Sequence, residues 1–329
     1  MRGRYHIIVQ NNRIKFEFEV KRNITIIRGD SATGKTTLMN MVETFERLGS
    51  ESGISISCER ECRTLNNSNW LTVIQNSHES IIFIDEDTKV IKTKEFASEI
   101  SASDNYYVII TRENLPNLPY SVEEIYGIHN SGRYSDVRKT YNSLYRLYTL
   151  NQDKNKKPSD LVVVEDTNSG YEFFKNVVID QISCVSAGGK SGIKQVVKNS
   201  VDKNVLIIAD GAAFGSEMAE LYLYMQSNPK VSMYLPESFE WIILSSGLID
   251  GNRVAEIIER PEEYIESSDY FSWEQFFTKL LISETIDTYL QYGKSRLNQN
   301  YLNEKEVNAI MAVMDTISYI FKRAVIIQI

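Results

Sequence analysis

Ile26 to Leu38 reads IIRGDSATGKTTL. A β-branched run enters a glycine, and a second glycine, a lysine and two threonines follow. Gly29–Thr36, GDSATGKT, satisfies G-x-x-x-x-G-K-[ST] at every position. After it, Leu38, Met41, Val42, Phe45 and Leu48 recur at helical spacing, and Gly49 marks a stop. A strand, a tight turn and a helix are therefore expected in that order. Such a turn wraps an anion: its glycines let backbone amides point inward, and the helix N-terminus adds partial positive charge. Gly29, Asp30, Ser31, Ala32, Thr33, Gly34, Lys35, Thr36 and Thr37 are the candidate phosphate-binding residues. Lys35 is placed to reach β- and γ-phosphates, and Thr36 to ligate Mg²⁺.

A phosphate-bound Mg²⁺ needs a second carboxylate. IIFIDE supplies Asp85 after four apolar residues, at the carboxyl end of a buried strand, where open α/β sheets collect ligands. Glu86 follows directly, and because this stretch resembles P-loop ATPases, where a glutamate at this place polarises the attacking water, it is the candidate catalytic residue. YYVIITREN, from Tyr106, is another buried strand, closed by Thr111 and Arg112, where a polar residue can sense a γ-phosphate. Tyr5–Val9 and Ile14–Val20 read as a hairpin around QNNR, and Ile24–Ile27 as a third strand. Ile54–Cys58 and Val122–Ile128 are further strand candidates.

Residues 5–130 resemble the P-loop NTPases, and more narrowly the group with a strand inserted between the two Walker strands and a catalytic glutamate. The resemblance implies binding of ATP or GTP with Mg²⁺. The leading hairpin and SVEEIYGI look like the edges of an ABC-type ATPase head, but no LSGGQ-like signature is present.

A boundary is expected at Asn151–Asp160, NQDKNKKPSD, which has no large apolar residue. Strand and helix patterns then restart with LVVVED, a helix from about Ser169, ISCVSA, a helix from about Ile193, and NVLIIAD. The fold class read from the whole chain is α/β: residues 1–150 as one domain with a parallel sheet, and residues 161–329 as a second α/β domain with a helical C-terminal tail. Ser272–Gln275 fits a capping box at the start of that tail, and Asn303–Glu306 a second helix start.

Two apolar runs of the second domain end in acids, Glu165 and Asp210. In a parallel β-α-β-α-β unit these ends can lie side by side and hold Mg²⁺. The pattern is similar to the TOPRIM domain, whose E-G-x-x-D turn and D-x-D pair place Glu165 and Asp210 as catalytic and metal-ligating residues. Here Asp166 takes the glycine position, Ser169 the last position of the turn, and Ala212 the second aspartate. SAGGKSG, Ser186–Gly192, resembles the glycine–lysine turn of TOPRIM nucleases in phage defence. PESFEWIIL resembles their acidic helix start, with Glu240 as an extra ligand. The pairing of the two domains resembles ATPase–TOPRIM defence proteins of the overcoming-lysogenization-defect and phage anti-restriction-induced type.

Three functions follow as alternatives: an NTP-regulated, metal-dependent nuclease; an NTP-driven switch or assembly protein whose second domain binds a protein partner or second copy; and a small-molecule kinase, for which no arginine-rich lid or acceptor pocket is evident. A nucleic-acid surface would use Arg133, Arg138, Lys139, Arg146, Lys154, Lys156 and Lys157, with Tyr134, Tyr141, Tyr145 and Tyr148 for stacking. Tyr141, Leu144, Tyr145 and Tyr148 sit at helical spacing, however, which reads as a buried stripe under a solvated basic face. The net charge of −8 argues against a generally basic nucleic-acid binder. No apolar run approaches the ~20 residues of a membrane helix. Three cysteines give no disulfide framework, and Cys58 and Cys62 at C-x3-C read as ordinary thiols, so a cytoplasmic protein is expected.

Overall fold

The fold was described from a computed structural model, which describes residues 1–29, 33–130, 139–150, 158–249 and 251–322. Asp30, Ser31 and Ala32 of the phosphate turn lie outside the described residues. So do Arg133, Tyr134, Arg138, Lys154, Lys156 and Lys157 of the suggested basic surface, most of the 151–160 boundary segment, and the C-terminal AVIIQI run.

The chain divides into two compact units. Unit 1 comprises Met1–Thr149 together with Arg260–Ser272. It starts with the expected hairpin, β1 (Tyr5–Gln10) and β2 (Ile14–Val20), paired antiparallel with Tyr5 opposite Val20. Then come β3 (Ile24–Ile27), α1 (Lys35–Leu48), β4 (Ser55–Ser57), β5 (Cys62–Leu65), α2 (Trp70–Asn76), β6 (Ile81–Ile84), α3 (Lys94–Ser101), β7 (Tyr106–Ile110), β8 (Ile125–Asn130) and β9 (Thr140–Arg146). The sheet order is β4-β1-β2-β9-β8-β3-β7-β6-β5, with most neighbours parallel. The strand β7 lies between β3, which enters the phosphate turn, and β6, which ends at Asp85.

β3, β6 and β7 are buried along their whole length, as continuous Ile, Val and Phe runs require when a sheet is covered on both faces. β4 and β5 sit at opposite edges of the sheet, yet only residues 58–61 join them. Both edges must therefore converge, and α1 packs against β1, β4, β5 and β6 alike. Its Leu38, Met39, Met41 and Val42 enter the same core as Val9, Phe18, Ile81 and Val108.

The stripe expected at Tyr141–Tyr148 is not a buried helix face. Residues 140–146 are β9, parallel to β2 and antiparallel to β8, and Tyr141 and Tyr145 stand exposed on one face of it. An i, i+4 spacing serves a strand as well as a helix, because four is also a multiple of the strand period. Arg146 of the expected basic set is paired to Glu123 at 3.1 Å.

The stretch Arg260–Ser272 was expected in the second domain but belongs to unit 1. Arg4 pairs with Glu262 at 2.6 Å, the Ser267 amide donates to the Met1 carbonyl, and Asn23 Nδ2 donates to the Tyr270 carbonyl at 2.9 Å.

Unit 2 comprises Leu150–Glu259 and Trp273–Ile329. Its elements are β10 (Leu161–Val164), α4 (Ser169–Val177), β11 (Ser183–Ser186), α5 (Lys190–Lys198), β12 (Val205–Ile208), α6 (Gly215–Ser227), β13 (Val231–Tyr234), α7 (Phe239–Ser245), α8 (Asn252–Glu259), α9 (Trp273–Thr285) and α10 (Glu304–Val313). The four strands are all parallel, in the order β11-β10-β12-β13. The β-α-β-α-β unit read from the sequence is thus present and is extended by α6 and β13. The helix α9 starts directly after Ser272, and α10 directly after Asn303. Among the described residues no helix is long and apolar enough to cross a membrane.

Candidate functional site

In unit 1 the expected residues converge. Gly29 and Gly34 have φ of +143° and +96°, a region that side chains with a Cβ enter only under strain. Gly34 turns the chain directly into α1, so the free amides of the first helical turn face the loop. Lys35 is buried, and its Nζ donates to the Gly29 carbonyl at 2.7 Å and to Thr33 Oγ1 at 3.1 Å. The ammonium is thereby held over the turn by oxygens that phosphate oxygens can replace.

Thr33, Gly34, Lys35, Thr36 and Thr37 line a cavity of about 420 Å³. Glu86 and Arg112 line it from the ends of β6 and β7, and their side chains pair at 3.2 Å. Asp85, one residue before Glu86, is not itself among the residues lining the cavity, and its Oδ1 accepts the Glu86 amide at 2.9 Å. Burial at the strand end pushes the Asp85 carboxyl above the usual range, with Asp87 and Glu86 adding repulsion. A carboxylate crowded in this way favours a neighbouring cation.

The far wall of the cavity was not read from the sequence. Ile14 and Phe16 of β2, Asn130 of β8, and Thr140 and Asn142 of β9 form it. The register aligns Phe16 with Asn142, and Asn142 with Asn130, in one row. β9 was not read from the sequence as a strand, so its Thr140 and Asn142 had no legible signal as part of this wall.

In unit 2 the strand ends also meet as expected. β10 and β12 are direct neighbours, and the Asp210 amide donates to Glu165 Oε2 at 3.1 Å. Burial raises the Glu165 carboxyl to about 7. Asp210 is pushed well up by burial, then by repulsion from Glu274, Glu165 and Glu240, against the pull of Lys294. Glu274 and Lys294 are two residues that sequence reasoning missed. They come from the helical tail, more than sixty positions after Asp210, and only the tertiary fold brings them in.

Lys294 Nζ is 2.6 Å from Glu274 Oε1 and 3.6 Å from Glu240 Oε1. Glu240, on α7, is buried, and the Tyr292 hydroxyl also donates to its Oε1 at 2.9 Å. Asp166, in the turn after Glu165, is held by backbone amides. Its Oδ1 accepts the Thr167 and Asn168 amides and its Oδ2 the Gly170 amide, so it caps α4. Ser169 is fully buried and donates to the Gly293 carbonyl at 2.6 Å. In the glycine turn between β11 and α5, Lys190 reaches across to the Ala213 carbonyl at 3.3 Å. Among the described residues no three His, Cys, Asp or Glu side chains converge to hold a metal ion.

The two ordinary thiols expected at Cys58 and Cys62 are free and lie against the unit 1 core. The nearby Cys62 side chain pulls the Cys58 thiol down to about 6, while the Arg60 amide donates to Cys58 Sγ at 3.5 Å. No protein-family model matches the sequence, and no curated protein matches it.

Proposed function

We propose that the chain is a P-loop NTPase that binds ATP or GTP with Mg²⁺ in the cavity at the N-terminus of α1 and hydrolyses it. One observation carries this reading: Lys35, Thr36, Glu86 and Arg112 line a single cavity although they come from three separate elements. The residues present fit the nucleotide and its metal. The amides of the α1 N-terminus and Lys35 would hold the phosphates, while the Thr36 hydroxyl and Asp85 would hold Mg²⁺, which neutralises phosphate charge. Glu86 would accept the proton of the attacking water, and Arg112, paired to it, would keep its carboxylate aimed. The volume of about 420 Å³ is within the ordinary range for a small-molecule site.

For unit 2 the reading is a TOPRIM-like domain, and two activities compete. A metal-dependent nuclease would hold Mg²⁺ between Glu165 and Asp210 and belong to phage defence. A switch would use nucleotide turnover to control a domain that binds a protein partner, a second copy or nucleic acid. The second is favoured by the turn after β10, where Asp166 caps a helix and Ser169 anchors a loop, leaving neither to serve a metal.

Lys35→Ala tests the first proposal. It removes the cation facing the phosphates, so calorimetry should show loss of tight nucleotide binding while the fold persists. Equal affinity in the mutant and the wild type would refute it. A cleavage assay on single-stranded DNA, duplex DNA and RNA with Mg²⁺ or Mn²⁺, with Glu165→Ala and Asp210→Ala as controls, decides between the two readings of unit 2. Cleavage lost in both variants establishes the nuclease; no cleavage by the wild type supports the switch.

A further inference from the structure

At the carboxyl edge of the unit 2 sheet the Asp210 carboxyl is repelled by Glu274, Glu165 and Glu240, and Glu165 is repelled by Glu274 as well. Like charges this close repel unless a proton or cation separates them. The chain brings its own cation to the place. Lys294 Nζ donates to Glu274 Oε1 at 2.6 Å and to Thr278 Oγ1 at 3.4 Å, and stands 3.6 Å from Glu240 Oε1.

The Lys294 side chain is 38% exposed, and what holds it in place is its backbone. The backbone that carries it is fixed at three successive residues. The Tyr292 amide donates to the buried Thr285 hydroxyl at 2.9 Å. The Gly293 carbonyl accepts from Ser169 Oγ at 2.6 Å. The Lys294 carbonyl accepts from the same hydroxyl at 3.0 Å. Ser169 belongs to the turn that follows Glu165, so the strand-end turn itself holds the lysine in place. Tyr292 adds a hydroxyl to Glu240 at 2.9 Å, which leaves Glu240 Oε2 buried without a hydrogen-bond partner. A lone buried carboxylate oxygen is costly unless positive charge lies near. On the other side Lys190, tied to the Ala213 carbonyl, offsets part of the Glu165 charge.

We propose that the Lys294 ammonium is the resident cation of this site, filling the charge role of a divalent metal, so that no divalent metal binds there until Lys294 is removed. A tethered ammonium satisfies the carboxylates at a separation set by N–H···O bonds. A divalent ion would need oxygens drawn in to about 2.0–2.6 Å. With Lys294 bonded to Glu274 and 3.6 Å from Glu240, those two acids cannot close on a divalent ion beside Asp210. This inference rests on the reading of unit 2 as a binding module, and it is independent of nucleotide turnover in unit 1.

The test is Mn²⁺ binding followed by electron paramagnetic resonance, without nucleotide, on the full chain in a Lys35→Ala background that mutes the unit 1 cavity. The parent should show no saturable site lost on Asp210→Asn. Lys294→Met should gain one, and the further change Asp210→Asn should remove it. Lys294→Arg should gain none. A saturable site in the parent that Asp210→Asn abolishes would overturn the proposal. So would a folded Lys294→Met chain, checked by circular dichroism, that binds no Mn²⁺. Acylation of the intact wild type reads the same point without a variant at Lys294. Lys294 should stay protected relative to the exposed Lys198 whether or not millimolar Mn²⁺ is present, and Mn²⁺-dependent reactivity of Lys294 would mean that the metal displaces it. The nucleotide proposal is refuted only by the calorimetry of Lys35→Ala, so the two fail separately.

Discussion

Both units place acids at the carboxyl ends of parallel strands, Asp85 and Glu86 after the single strand β6 in unit 1, and Glu165 and Asp210 beyond the neighbouring β10 and β12 in unit 2, and the two sites are built differently. In unit 1 the protein's own cation, Lys35, is held by a backbone carbonyl and a hydroxyl at the mouth of a cavity of about 420 Å³. In unit 2 the cation, Lys294, is bound by carboxylates and locked in by a buried serine. The carbonyl and hydroxyl that Lys35 contacts are neutral, and those two contacts can be exchanged for phosphate oxygens at little cost. A lysine held by carboxylates in a partly buried pocket gives up charge-assisted hydrogen bonds if it moves, each worth roughly 1.5–3 kcal/mol. The same residue types at equivalent sheet edges thus prepare one site to receive a ligand and leave the other internally satisfied.

The largest effect that could break this contrast is on hydrolysis. Glu86→Gln should keep nucleotide binding and lower turnover roughly 10²-fold or more, as for a lost general base. Glu165→Gln and Asp210→Asn should leave turnover unchanged. Turnover that falls with the unit 2 changes instead would mean that both sites serve one reaction. Turnover that survives Glu86→Gln but fails in Asp87→Asn would move the base by one residue.

Next is the backbone of the phosphate turn. Gly34→Val puts a β-branched side chain at φ +96°. Such strain costs about 1–3 kcal/mol. Differential scanning calorimetry should show the unit 1 transition lowered, with unit 2 unmoved. An unchanged melting profile would mean that the turn has another conformation open to it.

Ser169→Ala probes the lock in unit 2 in the same way. It removes the hydroxyl bonded to the Gly293 and Lys294 carbonyls and should destabilise unit 2 by about 1 kcal/mol, the usual net worth of such a bond. The same variant should raise acylation of Lys294. A stability loss without increased acylation would separate packing from the lock.

The smallest effect concerns the thiols. Cys58 is drawn down to about 6 by the Cys62 thiol, while burial pushes Cys184 up to about 12. Iodoacetamide attacks the thiolate, so alkylation of Cys58 should rise with pH through about 6 and level off above it. Cys184 should remain unmodified at neutral pH. Mass spectrometry that finds Cys184 labelled first would reverse this order.

Much of unit 1 was legible because its signals are local. The run Ile24–Ile27 and the helix to Leu48 appear in the structure within a residue of where the sequence puts them. The strand end at Asp85 was equally plain, since four buried apolar residues precede it. β9 was misread because tyrosines four apart suit both periods, and β5 (CRTL) is short and only partly buried, with little apolar pattern to show. In consequence the part of the wall formed by Thr140 and Asn142 could not be foreseen. The return of Arg260–Ser272 to unit 1 had no local mark either, because its contacts to Met1, Arg4 and Asn23 span more than two hundred residues.

By itself the sequence determined the parts whose geometry a few consecutive residues impose. Those parts are the glycine–lysine turn, the buried strands beside it, the second run of parallel strands, and the pairing of Glu165 with Asp210 across neighbouring strand ends. Backbone sterics and hydrophobic period act over a few residues, so a short stretch suffices to specify them. The tertiary structure alone decided which charges meet. Glu274 and Lys294 come from α9 and the loop beyond it, and the turn at Ser169 draws the second of them in beside the already expected Glu240. Electrostatic interaction depends on distance and burial in space and carries no signature along the chain.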